Sequence, residues 1–234
     1  MALALNTVRT MFDRWAPTYD ADVLAGGWGF ERYEVGHDWI RVHVSRGESP
    51  VRIVDLGCGT ASIAEKLAES GMDFEYVGVD LSPVMLAIAR RRPSVSRVIE
   101  TDILSFDAWT STLTTHVRCV VISSYALHHV DDIEKASIIR KAFTAATRPD
   151  LEMLIVDYAF ANRMERARAL SEQADLGNFH VIDEISAEHY ADLSELECAL
   201  RPDGLSVSYA NNGMWDWRIH IGVKKQYAQN LSRC

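Results

Sequence analysis

The stretch VRIVDLGCGTASIAEKLAES, Val51 to Ser70, decides the fold. Six strand formers run into two glycines around Cys58, and an apolar-periodic segment follows at once. A buried strand therefore feeds a helix through a turn too tight for side chains. Two glycines in such a turn mark a place where another group approaches the backbone closely.

Working outward, the runs FEYVGVD, SRVIE, VRCVVIS and LEMLIVDY also read as strands. Between them lie segments of crossover length, clearest in SPVMLAIARR and DDIEKASIIRKAFTAAT. Strand and helix in alternation imply a doubly wound α/β fold, a mostly parallel sheet covered on both faces. Upstream, Leu5, Val8, Phe12 and Trp15 recur on one helical face that ends near Pro17, ahead of the aromatic loop AGGWGFERY. Downstream, RMERARALSEQADLG and ISAEHYADLSELECALR read as helices, and LSVSYAN and WDWRIHIGVKK as late strands. No Pro/Ser-rich linker or internal repeat divides the chain. The expectation is one domain over 1–234: an N-terminal helical lid (1–45), a cofactor-binding core (46–160), a helical cover (161–204) and C-terminal strands (205–234).

Composition narrows the function. The 234 residues are 48% hydrophobic and 24% charged, enough to bury a sizeable core. A formal charge of −9, with no basic cluster longer than ARRRP, speaks against a nucleic-acid surface. No window approaches the roughly 20 apolar residues that span a bilayer, and the N-terminus lacks the basic start and long apolar core of a secretion signal. Cys58, Cys119, Cys198 and Cys234 show neither metal-ligand spacing nor a disulfide framework. A cytoplasmic protein acting on a small molecule, with no nucleic-acid or membrane partner, is expected.

In a doubly wound sheet the ligand crevice lies beyond the carboxyl ends of the strands. GCGTAS supplies only the first two glycines of G-x-G-x-x-G, with Ser62 at the third position, and taken alone it also has a bland reading as a tight turn with no ligand. Asp80, however, ends the second strand, where a carboxylate can accept from both ribose hydroxyls. Asp102 follows the third strand, placed to accept from an exocyclic amine while Ile103 packs on a ring. Each carboxylate alone has a bland reading as a cap or a solvated charge. Three such features at successive strand ends specify a nucleoside site better than any one does.

Together VDLGCGTA, VGVDLSPVMLAIAR, TDIL and ISSYALHHV resemble the class I S-adenosylmethionine-dependent methyltransferases, in that family's order and spacing from about Val51 to Tyr158. The opening FDRWAPTYD is similar to the entry helix of its small-molecule branch. The resemblance implies a Rossmann-like seven-stranded sheet with its last strand antiparallel, and S-adenosyl-L-methionine as cofactor. It implies that Asp55, Gly57 and Gly59 shape the methionyl pocket and that Asp80, with Leu81 beside it, holds the ribose. Asp102 and Ile103 would take the adenine, Ser123 would line the floor, and Tyr19, with Arg14 and Trp15, would close the lid.

Methyl transfer needs an aligned nucleophile, exclusion of water and, for some nucleophiles, removal of a proton. Tyr125, His128 and His129, just past the fourth strand, are the candidates for that last task, against the plain alternative that adjacent histidines pack and cap. Trp28, with Trp15, Tyr19, Phe30 and Tyr33, suggests an aromatic wall around a cation, or simply a packed lid. No metal is expected, since HH and scattered acids show no ligand pattern. Three other readings stand beside methyl transfer: a nicotinamide enzyme, a non-catalytic nucleoside-binding module, and a family-like enzyme that consumes the cofactor by cyclising its aminobutyryl chain to azetidine-2-carboxylate.

Overall fold

Val51, Ile53, Val54 and Leu56 are all buried because β1 (Val51–Leu56) is covered on both faces. The computed structural model describes residues 5–26 and 32–224. Around β1 run β2 (Phe74–Asp80), β3 (Arg97–Glu100), β4 (Arg118–Ser124) and β5 (Glu152–Phe160), with β7 (Leu205–Gly213) and β8 (Asp216–Val223) completing the order β3-β2-β1-β4-β5-β8-β7. The two-residue β6 (Ala191–Asp192) pairs with β5 off this path. The first five strands are parallel, and β8 is antiparallel to both β5 and β7. The order reverses between β1 and β4, so the crevice opens at their carboxyl ends.

Helices cover the two faces. On one, Ile40 and Val44 of α3 (Tyr33–Ser45), Ile63 and Leu67 of α4 (Ser62–Ala68) and Leu86 of α5 (Pro83–Ala89) pack against Ile53 and Tyr76. On the other, Trp109 of α6 (Phe106–Thr110) and Ile138 and Ile139 of α7 (Asp132–Ala145) pack against Val54, Val77 and Val121. Local signals set their starts. Ser82 accepts from Met85 N–H at 3.1 Å with Pro83 next, and Asp131 and Glu134 form a reciprocal capping box on α7. The lid is α1 (Leu5–Trp15) and the short α2 (Tyr19–Leu24), while α8 (Arg163–Asp175) and α9 (Phe179–Ala187) cover the end of β5 through Phe160, Ala169, Val181 and Ile185.

One expected element divides. The single helix read over Ile185–Arg201 is α9 ending at Ala187, then β6, then α10 (Leu193–Leu200). Ala191 and Asp192 pair with Ala159 and Phe160, and the Asp192 carboxylate accepts from Glu195 N–H at 3.0 Å as the cap of α10. Strand pairing and a capping side chain together outweigh helix propensity there.

Candidate functional site

The glycine turn is held to the neighbouring strand. Gly57 and Cys58 both donate to Val79 C=O, at 2.8 and 3.0 Å. Gly57 and Gly59 have φ of +74° and +52°, conformations that favour glycine. A Cβ built on Gly59 meets nothing within 4 Å, so the turn leaves open space where it borders the crevice.

That turn grips Asp80. Gly59 N–H donates to one carboxylate oxygen and Ser82 N–H to the other, each at 2.8 Å. Burial pushes the Asp80 carboxyl above its ordinary value, and the backbone donors only partly counter this. Each oxygen retains a lone pair for a hydroxyl donor. At the next strand end, Asp102 accepts from Leu104 N–H at 2.9 Å. Asp80, Asp102 and the apolar Leu81, Met85, Ile103 and Val130 line one cavity.

The lid roofs this cavity with Val8, Arg9 and Phe12 of α1 and with Tyr19. Two polar clamps hold it down. Ser82 Oγ donates to Asp13 at 2.6 Å, and Asp20 accepts from Thr60 Oγ1 and Arg92 Nη2, both at 2.5 Å.

Beyond β4 the backbone is unusual. Tyr125 has φ +52°, a left-handed conformation that costs a bulky residue about 1–2 kcal/mol. Its hydroxyl donates to Asp216 at 2.6 Å and its ring stacks on Tyr33. Asp157 then organises the 127–129 turn: one oxygen accepts from Leu127 and His128 N–H, at 2.8 and 3.2 Å, and the other pairs with His128 Nδ1 at 2.6 Å. Burial alone depresses the His128 imidazole, but the Asp157 carboxylate more than offsets this and raises it. His129 lies differently. It lines the cavity, its ring edge-on to Phe12 at 5.5 Å and its Nδ1 3.1 Å from Glu188. Burial and the neighbouring His128 lower its pKa, which favours the neutral imidazole. With Nδ1–H donated to the Glu188 carboxylate, Nε2 is left as the acceptor.

Of the residues singled out in the sequence, Tyr19, Gly57, Gly59, Asp80, Leu81, Asp102, Ile103, Tyr125 and His129 meet around the cavity. Asp55 and Ser123 do not line it. Asp55 is buried in β1, bonded to Tyr76, and Ser123 Oγ donates to Leu56 C=O at 2.8 Å. Arg14 and Trp15 border a separate surface depression: the helical repeat turns Arg14 away from the face of Val8 and Phe12, while Trp15, on that face at the end of α1, packs on Tyr19. Trp15 instead donates to Asp22 at 2.6 Å, bracing α1 on α2. His128 packs behind the cavity wall against Tyr158 and Tyr190. Trp28 and Phe30 lie outside the described residues. Val8, Arg9 and Phe12 were not singled out as site residues, although the i, i+4 spacing of Val8 and Phe12 carried the signal.

Comparison with known proteins agrees with this architecture. Residues 53–150 match the family model described as a methyltransferase domain. An uncharacterised methyltransferase of Geobacillus sp. (strain WCH70) is 28% identical over 88% of this chain and 93% of its own length. Among solved structures, a DhpI-SAM-HEP complex superposes with TM-score 0.61 at 16% identity, covering 91% of this chain and 94% of that one. The plantazolicin methyltransferase BpumL, in complex with a pentazolic desmethylPZN analog and SAH, gives 0.57 at 15% identity, over 92% and 96%. The chain is thus similar to a methyltransferase domain over residues 53–150, and its fold is that of structures solved with SAM or SAH.

Proposed function

We propose, from that similarity and the geometry of the site, that the chain binds S-adenosyl-L-methionine in the cavity beneath α1 and transfers its methyl group to a small-molecule nucleophile. The observation that carries this reading is the Asp80 carboxylate, fixed by Gly59 and Ser82 N–H at the rim of a glycine turn and facing an apolar slot that Asp102 closes. In this assignment Asp80 accepts the ribose hydroxyls, Asp102 and Ile103 meet the adenine, and Gly57 and Gly59 border the methionyl chain. The open space at Gly59 and the paired strand-end carboxylates fit a nucleoside with an amino-acid tail. When bound, the cofactor supplies a methyl carbon activated by a positive sulfur.

The chain's own part is enclosure, alignment and proton removal. Phe12 and Tyr19 exclude water from above. His129 Nε2 is the general base, with Glu188 fixing its tautomer. His128, committed to Asp157, holds the turn that places His129.

Incubation with the cofactor alone, then with a metabolite pool, tests the assignment. Methyl transfer predicts S-adenosylhomocysteine only when an acceptor is supplied. The cyclisation alternative predicts methylthioadenosine from the cofactor alone; the family model and relatives lend it no support, and that product would overturn methyl transfer. Saturable binding without either product would make the chain a binding module.

A further inference from the structure

At the end of the sheet opposite the cavity, side chains from three separate elements converge. His43 lies in the last turn of α3, Glu152 opens β5 and His220 lies on β8. His43 Nε2 and His220 Nε2 are 3.5 and 3.1 Å from the same oxygen, Glu152 Oε1. One ligating atom from each residue lies within 4.8 Å of the other two. Zinc held at about 2.0–2.1 Å by imidazole nitrogen and carboxylate oxygen has tetrahedral ligand-to-ligand edges of about 3.3–3.4 Å. The two measured separations bracket that edge.

The surroundings match what a metal-ligating carboxylate requires. Glu152 Oε2 accepts from Arg118 Nη2 at 2.9 Å, and Arg118 Nη1 is itself anchored on Val44 C=O at 2.8 Å. The guanidinium therefore orients the carboxylate and leaves Oε1 to the histidines. Arg118 opposes a cation electrostatically; on the same surface depression Glu48, Asp150 and Glu152 face Arg118 and Lys224, with Arg148 paired to Glu48 and Asp150, so the local charges balance and the case for a cation rests on the ligand geometry. A Cβ built on Gly222, across the β5–β8 ladder from Glu152, would lie 3.9 Å from His220 Nε2. His43, Glu152 and His220 are each about 30% exposed, so an ion and a completing water can enter.

We propose that His43, Glu152 and His220 form a His₂-carboxylate site for a divalent transition metal, zinc by geometry, with water as the fourth ligand. The other convergent group, His128, His129 and Glu188, is assigned above to the turn and to the general base and is left to that role. Six residue steps along β5 separate Glu152 from Tyr158, roughly 20 Å, so the ion's role is to clamp α3 onto β5 and β8 and not to touch the reacting groups.

The untagged full-length chain, stripped with chelator, is titrated with Zn²⁺ by calorimetry and with Co²⁺ by visible absorption. One ion per chain, intense tetrahedral Co²⁺ bands and a Tm raised by roughly 5 to 10 °C at hundredfold excess over Kd are expected. His43→Gln and His220→Gln should each weaken binding at least tenfold while circular dichroism and cofactor affinity stay at wild-type values, and His129→Gln should leave zinc affinity intact. Binding that survives both His43→Gln and His220→Gln, binding lost in His129→Gln, or no saturable binding at all overturns the site.

Discussion

A methyl group on Gly57 tests the glycine turn most directly. A Cβ built there falls 2.3 Å from Ala126 Cβ, whereas carbon atoms rest comfortably at about 3.5–4.0 Å. The turn after β4 must retreat by more than 1 Å, an overpacking that costs about 1–3 kcal/mol. The φ of +74° adds about 1–2 kcal/mol for any L side chain. Gly57→Ala should therefore lower unfolding stability by about 2–5 kcal/mol. Because Ala126 lies between Tyr125 and the 127–129 turn, cofactor affinity should fall as well. Ala126→Gly removes the colliding methyl and leaves only the dihedral cost, so the double variant should recover about 1–3 kcal/mol relative to the sum of the singles. Urea unfolding of all four proteins, with calorimetric titration of S-adenosylmethionine, measures both. Single effects that add to within about 0.5 kcal/mol would refute the contact as the cause.

Asp80→Asn should weaken cofactor binding by about 1.5–3 kcal/mol, the size of a lost hydrogen bond to a charged group, in a protein that still folds; calorimetry showing wild-type affinity removes Asp80 from the ribose role. His129→Gln should lower turnover by about 10²- to 10⁴-fold with cofactor affinity little changed, and unchanged single-turnover rates would exclude it as the base. Since burial and His128 depress the His129 pKa, the wild-type rate should hold below the ordinary histidine range and fall only at more acid pH; a midpoint above 6.5 contradicts this. Burial raises the Asp55 carboxyl from 3.8 to about 7, and its Oδ1 has no hydrogen-bond partner among the described residues. A group raised in the folded state contributes stability below its unfolded value and loses it as pH rises through about 7. At about 1.4 kcal/mol per pH unit the loss amounts to about 4 kcal/mol at most, so Asp55→Asn should gain on wild type progressively between pH 4 and 7 in cofactor-free urea unfolding, and parallel pH profiles would disprove it.

What could be read directly from the sequence was what local chemistry determines. The strand-to-helix turn at Gly57 and Gly59 and the strand-end carboxylates Asp80 and Asp102 need only the positions where apolar runs stop, and those positions are written in the runs themselves. The division of the Ile185–Arg201 segment was not local. It depends on Ala191 and Asp192 finding β5, more than thirty residues earlier in the chain. The inward face of α1 was half visible: the spacing of Val8 and Phe12 marked an apolar stripe, but which element it would roof required the Asp13–Ser82 and Asp20–Thr60 clamps.

The histidine pair shows why a site can be located from sequence while its roles are not. His128 and His129 are adjacent, equal in type and equally plausible as bases on a short turn. Their difference comes from carboxylates 29 and 59 residues away. Asp157 takes His128 Nδ1 together with two backbone N–H groups, which makes that imidazole a part of the turn and favours its charged form. Glu188 takes only the outer nitrogen of His129, and the charge favoured on His128 helps keep its neighbour neutral. The two residues thus depend on each other electrostatically: neutralising Asp157 would let the His128 pKa fall, relieve His129 and raise the pH at which His129 loses its proton. A base poised next to a second, structural imidazole is tuned by the partner that holds that imidazole, and the tuning travels from Asp157 to the cavity through a ring-to-ring separation of 4.1 Å.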